Sequence, residues 1–295
     1  MTRPTGAWRL AAALVVALLP AACAGAPPSA TAPTTRFNQS LHDQLPRSVR
    51  DRGILRVETD AAYAPMESIG PDGRSIIGMD PDLGVALGRV LGVRLEFTNT
   101  AFTTLLTDVA DGHVDVAISA VTDTPERANT VDFINYFSAG TSIVVQRGNP
   151  AGVTGISDLC GRIVAVKGGT VQDSLLTRAQ ANCGGRPMTV NTYPDNTDAL
   201  VELHAGRAVA VLNDFPVAVA LINDTRTNQS YQLASTTQYE PGLYGIVVPK
   251  DQLGLRDALQ GACEELMASG VYTEILARWG VRDGAVTRIT INSGR

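Results

Sequence analysis

The chain has little of what builds metal centres. Its three histidines, His42, His113 and His204, show no ligand spacing, and its four cysteines include no C-x-x-C pair. No metal site and no cofactor are therefore expected. There is no G-x-S-x-G elbow and no candidate Cys–His pair for nucleophilic catalysis. A net charge of −5 and the absence of a basic run with interleaved aromatics argue against nucleic acid as a main partner. The apolar run at residues 10–19, LAAALVVALL, is too short to remain as a membrane-spanning helix.

What is present is globular: 295 residues, 44% hydrophobic and 18% charged, enough for two modest domains. Arg3 and Arg9, the apolar run and Ala21-Ala22-Cys23 read as an export signal over residues 1–22. Residues 23–36, small and proline-rich, read as a disordered tether. Export permits a disulfide. Cys160 precedes an expected strand and Cys183 follows an expected helix, so one βα unit can bring that pair together, while Cys263 reads as a buried thiol.

Residues 118–127, ISAVTDTPER, carry the densest signal. An apolar strand expected over 114–118 turns polar at Ser119 and Thr122, which bracket Ala120 and Val121. Thr124-Pro125 reads as a helix cap followed by proline at the first helical position, which puts Arg127 in the first turn. Backbone N–H groups, two hydroxyls and a guanidinium converging there suit a carboxylate or other small anion.

Along the chain, one helix is expected over 37–52, then a strand over Ile54–Thr59 running into Asp60, Tyr63 and Pro65. A helix capped by Asp80-Pro81, a strand over 93–97, a helix opened by Phe102 and the strand at 114–118 complete a βαβαβ order. That order implies a mostly parallel sheet covered by helices, with ligands beyond the strands' carboxyl ends. Residues 131–148 cross over, ending in a strand at 142–146. A second unit runs from Cys160: strand, Lys167-Gly168-Gly169-Thr170, helix, strand, helix, and a strand ending at Asn213-Asp214. Two pieces rhyme, GHVDVAI at 112–118 and GRAVAVL at 206–212, and read as equivalent strands of two lobes. Residues 240–245 cross back to a strand, and helices follow at 253–268 and 272–279.

With both lobes laid out, the chain resembles the extracytoplasmic solute-binding proteins of ABC importers, in the polar amino-acid family. The likeness is carried by ETDAAYAPME (58–67), IIGMDPDLGVAL (76–87), DVAISAVTDTPER (115–127), VDFINYF (131–137), VAVKGGTVQD (164–173), LNDFPVA (212–218), YGIVVPK (244–250) and GVYTEILARWGV (270–281). It implies a two-lobe α/β fold of the type II periplasmic-binding kind, each lobe a mostly parallel sheet flanked by helices, joined by two hinge crossings. Lobe 1 is expected at 37–141 and 243–281, lobe 2 at 142–242, and a C-terminal tail at 282–295. By position, Arg127 and Thr122, assisted by Ser119, Ala120 and Thr170, resemble the family's carboxylate-binding residues. Asp214 resembles its ammonium acceptor, and Tyr63 and Phe102 its aromatic walls. Asp60 and Lys167 match positions that meet the ligand side chain, a combination similar to the glutamine-binding members. The alternative for Asp60 and Lys167 is a structural ion pair between lobes that closes the cleft without touching ligand. Met66 and Met79 stand where phenylalanine is usual, and Val209 where aspartate is.

The resemblance implies a monomer that takes a polar amino acid to an ABC permease, without catalysis. An enzyme of the cyclohexadienyl dehydratase kind and a sensory component are the alternatives. Ala21-Ala22-Cys23 is similar to a bacterial lipobox, which implies lipidation of Cys23 and anchoring to the outer face of the membrane. Pro20 departs from that pattern, and plain secretion with cleavage near Ala24 is the competing reading.

Overall fold

The computed structural model describes residues 34–294. The export signal, Cys23 and the tether up to residue 33 lie outside those residues. Asn38 caps the first helix, α1 (Gln39–Gln44), by accepting from the Leu41 N–H. Leu45-Pro46 then interrupts the helix, since proline has no N–H to give. The next helix, α2 (Arg47–Arg52), starts directly after it and ends on Gly53 at φ 67°. The single helix expected over 37–52 is thus two.

Strand β1 (Ile54–Thr59) leads into a small antiparallel sheet of β2 (Ala62–Tyr63), β3 (Glu67–Ile69) and β4 (Ile76–Ile77). Helix α3 (Met79–Leu91) starts on Gly78 rather than on an Asp80 cap; Asp80 lies in its first turn, fully buried. Strand β5 (Arg94–Asn99), helix α4 (Leu105–Ala110) and strand β6 (Val116–Ala117) follow. Phe102 does not open α4; it stays in the loop before it. β1 pairs in parallel with both β5 and β6, as alternating strands and helices require.

The crossing is one 16-residue strand, β7 (Val131–Gln146), which absorbs the shorter strand expected at 142–146. β8 (Ile163–Lys167), α5 (Val171–Ala179), β9 (Thr189–Tyr193), α6 (Asn196–His204), β10 (Ala210–Asp214), α7 (Phe215–Asn223) and β11 (Tyr231–Leu233) make the second half. The return crossing is also one strand, β12 (Tyr239–Pro249), followed by α8 (Leu253–Ala268), α9 (Val271–Arg278) and β13 (Ala285–Ile291).

All but the three small strands join one sheet in the order β5-β1-β6-β12-β7-β10-β8-β9, with β11 and β13 also on β7. Its two ends mirror each other. β6 lies between parallel β1 and antiparallel β12, and β10 lies between parallel β8 and antiparallel β7. The rhyming sequences at 112–118 and 206–212 therefore do fill equivalent places.

Side-chain alternation assigns each strand residue to one face. In the second lobe Val164, Val166, Ala210, Leu212, Ile143 and Val145 pack on one side with Leu175 and Leu176 of α5. Ala165, Val211 and Val144 pack on the other with Ala199 and Leu203 of α6. The first lobe repeats the scheme: Val116, Ile246 and Val248 meet α3 and α8, while Ala117, Val247 and Phe133 meet α4. Each buried aliphatic side chain contributes about 1.5–3 kcal/mol, so both lobes have sandwiched cores of their own. Met66 and Met79 are fully buried in the first lobe's core, and Val209 packs against the second's.

Two further expectations are corrected. Thr124 does accept from the Arg127 N–H, but the next element is a single 3-10 turn, Arg127–Asn129, not an α-helix. The β-branched Val131 opens β7 one residue after the turn, leaving no length for a helix. Nor is 282–295 a tail, because β13 pairs antiparallel with β7. Cys160 and Cys183 form a disulfide, and Cys263 is free and buried in α8. Among the described residues no helix is long and apolar enough to cross a membrane.

Candidate functional site

The strands' carboxyl ends deliver the polar residues. β1 ends into Asp60, β6 into Ser119 and Ala120, β8 on Lys167, and β10 on Asp214. The first two belong to one lobe and the last two to the other, and the ends face each other across a cavity. Tyr63, Phe102, Ser119, Ala120, Thr122, Arg127, Lys167, Thr170 and Asp214 line it, Asp60 does not, and the space they leave free is about 20 Å³. That is room for about one water molecule, far below the roughly 300–1,000 Å³ of small-molecule sites, so these walls must part to admit a ligand. Glu67, Val171 and Gln172 line it as well. Sequence reasoning missed these three.

On the first lobe, the cavity wall is a fixed backbone turn. Ala120 sits at φ 47°, a conformation that costs a non-glycine residue roughly 1–2 kcal/mol. Its N–H donates to the buried Asp80 carboxylate at 2.9 Å, and Asp80 also accepts from the Tyr136 hydroxyl at 2.7 Å. Burial raises the Asp80 carboxyl to about 6. Burial first, and then the Asp80 charge, push Glu67 well above the usual carboxyl range. The Ser119 hydroxyl donates to Glu67 at 2.9 Å and accepts from the Asp60 N–H at 2.9 Å. It is thus engaged in holding the wall.

Arg127 reaches back into this wall and across to the other lobe. One guanidinium nitrogen donates to the Thr122 carbonyl at 2.8 Å, the other to the Gly169 carbonyl at 2.9 Å. Its Cζ lies 5.7 Å from the centre of the Phe102 ring. Burial lowers its pKa, with the Asp214 charge opposing, but a guanidinium stays charged at any working pH.

The second lobe offers a glycine turn, a lysine and an acid. Gly169, at φ 74°, lets the backbone approach the first lobe: a Cβ there would stand 3.2 Å from Thr103. Thr170 caps α5, its hydroxyl accepting from the Asp173 N–H and donating to the Lys167 carbonyl. Asp214 accepts from the Tyr63 hydroxyl at 2.7 Å and from Gln172 Nε2 at 2.8 Å. Burial nevertheless raises its carboxyl to about 6, with those hydrogen bonds and the Arg127 charge pulling the other way. The phenol of Tyr63 is pushed well above its usual value by burial and by the Asp214 charge.

Lys167 and Asp60 meet at 2.6 Å, both almost fully buried. Asp60 also accepts from the Phe102 N–H at 3.1 Å. The ammonium lies 4.7 Å from the Phe102 ring and 5.5 Å from the Tyr63 ring, inside the range of cation–π attraction. Among the described residues, no group of three or more His, Cys, Asp or Glu side chains could hold a metal ion. Chemically the cavity offers a cation and an anion on opposite walls, aromatic sides, and one end where an acid and a base cancel.

Comparison with known proteins gives a consistent match. Residues 55–282 match the family described as bacterial extracellular solute-binding proteins, family 3. The arginine-binding protein of Corynebacterium glutamicum is 28% identical over 85% of this chain and 82% of its own. The structure of an ancestral arginine-binding protein bound to glutamine superposes with TM-score 0.71 at 32% identity, covering 78% of this chain and 99% of that one. An ancestral amino-acid-binding protein that is a precursor of cyclohexadienyl dehydratase superposes with TM-score 0.70 at 28% identity, over 79% and 97%.

Proposed function

The chain belongs to family 3 of the bacterial extracellular solute-binding proteins, and on that premise we propose that it captures a polar amino acid between its lobes and presents it to an ABC permease. The observation that carries this reading is the pair Arg127 and Asp214, which come from opposite lobes and line the same cavity. An amino acid at neutral pH is a zwitterion. Arg127, with the Ser119–Ala120 backbone and Thr122, suits its carboxylate. Asp214, with Gln172 beside it, suits its ammonium. Both charges are satisfied together only when the lobes close, so ligand favours the closed form, which a permease can recognise.

The side-chain end of the cavity supports a neutral polar ligand. Lys167 and Asp60 are paired there at 2.6 Å, so neither charge is left over for a charged ligand side chain. A carboxamide of the glutamine type fits such an end better than a guanidinium. No catalytic step is proposed, since Asp60, Lys167 and Asp214 each have a partner and a binding role. The arrangement outside the cytoplasm follows the family, with Cys23 proposed as the lipid anchor and a monomer as the working form.

A thermal-shift screen of the purified protein against the common amino acids tests the proposal. A ligand at 1,000 times its Kd stabilises by about 4 kcal/mol. L-Glutamine is expected to give the largest rise. Indifference to every amino acid would overturn the reading, and turnover of prephenate or arogenate would replace it with the enzymatic one.

A further inference from the structure

β13 lies past residue 282, where the family match ends, yet it is tied to the turn that carries Thr122 and Arg127. Its last residues pair with the first-lobe part of β7, Thr290 opposite Asn135 and Ile291 opposite Ile134. Asn292, at φ 47°, then bends the chain back. Its N–H donates to the Phe133 carbonyl at 3.1 Å, its side-chain oxygen accepts from the Phe133 N–H at 2.8 Å, and its side-chain nitrogen donates to Asp132 at 2.9 Å. The Asn135 side-chain oxygen accepts from the Thr290 hydroxyl at 3.0 Å and from the Ser293 N–H at 3.2 Å.

These bonds converge on Asp123. One of its carboxylate oxygens accepts from Asn135 Nδ2 at 3.0 Å and from the Gly294 N–H at 2.8 Å. Asp123 is 1% exposed, so without these donors it would be a buried charge with little to satisfy it. A Cβ on Gly294 would collide with the Asp123 carbonyl, so only glycine approaches closely enough. Asp123 stands between Thr122, whose carbonyl accepts from Arg127, and Thr124, whose hydroxyl accepts from the Arg127 N–H.

The turn's other supports lie on β12: the Asp123 N–H donates to the Leu243 carbonyl and the Gly245 N–H to the Val121 carbonyl. They flank the register shift at Tyr244/Gly245, where the regular ladder of the crossing strand is interrupted. A lone 3-10 turn has little stability of its own.

We propose that β13 and the Asn292-Ser293-Gly294 segment form a clasp that positions residues 122–127, keeping the anion-receiving turn and Arg127 in place on the first lobe while the crossing strands flex. Asp123, Asn135 and Gly294 are positioning residues that act through Arg127 and Thr122. The proposal rests on reading that turn as the half-site for a carboxylate.

Hydrogen–deuterium exchange on the ligand-free full chain tests the clasp without any ligand. In Gly294→Ala and Asp123→Ala, amides at 121–128 should exchange about tenfold faster, while β1 and the second lobe keep their rates. Asp123→Asn keeps an acceptor oxygen and should restore the slow exchange. Faster exchange confined to 285–294, or spread evenly through the first lobe, would overturn the proposal, and so would failure of Asp123→Asn to restore it. Calorimetry with L-glutamine supplies the second arm: Gly294→Ala should raise Kd about tenfold, and an unchanged Kd would count against positioning. If the wild type binds no glutamine, the ligand reading fails while the exchange result still decides the clasp.

Discussion

Lys167 and Asp60 meet at 2.6 Å across the cleft, a lysine of the second lobe on an aspartate of the first. The contact joins the lobes, as the ion-pair alternative expects, and only Lys167 of the two lines the cavity; contact of either with a ligand side chain stays a proposal. If Lys167 neutralises Asp60, its removal leaves a buried carboxylate that a cationic ligand can satisfy. In Lys167→Met, L-arginine affinity should rise at least about tenfold, or about 1.4 kcal/mol, while L-glutamine affinity falls. Calorimetry with both ligands checks this, and an unchanged ranking would remove Lys167 from selectivity.

Arg127 has fewer substitutes. Its guanidinium joins the Thr122 carbonyl to the Gly169 carbonyl of the other lobe. Truncation to alanine strands the ligand carboxylate and removes that link. Arg127→Ala is expected to cost on the order of 2–5 kcal/mol of binding, chiefly as faster dissociation, with a melting temperature close to that of the wild type. Equal affinities for variant and wild type would show that the carboxylate is held elsewhere.

Asp214 makes binding depend on pH. Burial raises its carboxyl to about 6, whereas an unfolded aspartate titrates near 3.9. The native state therefore keeps a proton that the unfolded chain has already lost. Its contribution to stability is fully present below about pH 4 and is lost as pH rises through about 6. Binding has the opposite slope, because an ammonium needs the ionised form. Affinity at about pH 5 should be roughly tenfold weaker than at about pH 7. Asp80 is also raised to about 6, so Asp214→Asn is the control: it should bind weakly with a flat profile. A wild-type affinity that ignores pH in this window would remove Asp214 from the ammonium site.

The disulfide should matter for folding and not for ligand. Cys160–Cys183 closes a span of 23 residues, worth about 3 kcal/mol of stability on the chain-entropy account. Replacing both cysteines by serine should lower the melting temperature by roughly 6–12 °C. Neither residue lines the cavity, so calorimetry should find the same Kd. A large loss of affinity would mean that the second lobe's shape depends on the bond.

Much of the fold is legible because parallel-sheet architecture writes itself locally. The glycine-strand-polar pattern at 112–118 and 206–212 locates two equivalent strands from residue order alone, and the polar residues at their ends fall together as that topology demands. The misses share a cause. Thr124-Pro125 carries a sound helix-start signal, but the demand of β7 for residues from Val131 onward cuts the helix to one turn. Pro46 splits a helix that apolar spacing alone joins. Glu67 and Gln172 escape notice because their role depends on neighbours distant in sequence: Asp80 and Ser119 for one, Asp214 for the other. β13 has little apolar pattern, with Ile289 its one fully buried side chain. Its hold on β7 is mostly backbone and amide hydrogen bonding, which leaves no periodic trace in a sequence.

The crossings have a mechanical consequence. β7 and β12 run unbroken through both lobes and pair with each other along most of their length. We expect opening to bend these paired strands like a leaf spring, rather than to swing on a single pin. The register shifts at Tyr239/Gly242 and Tyr244/Gly245 are the thinned sections where we expect a blade to yield first, so that the stiffness of those few peptides would set how readily the jaws part.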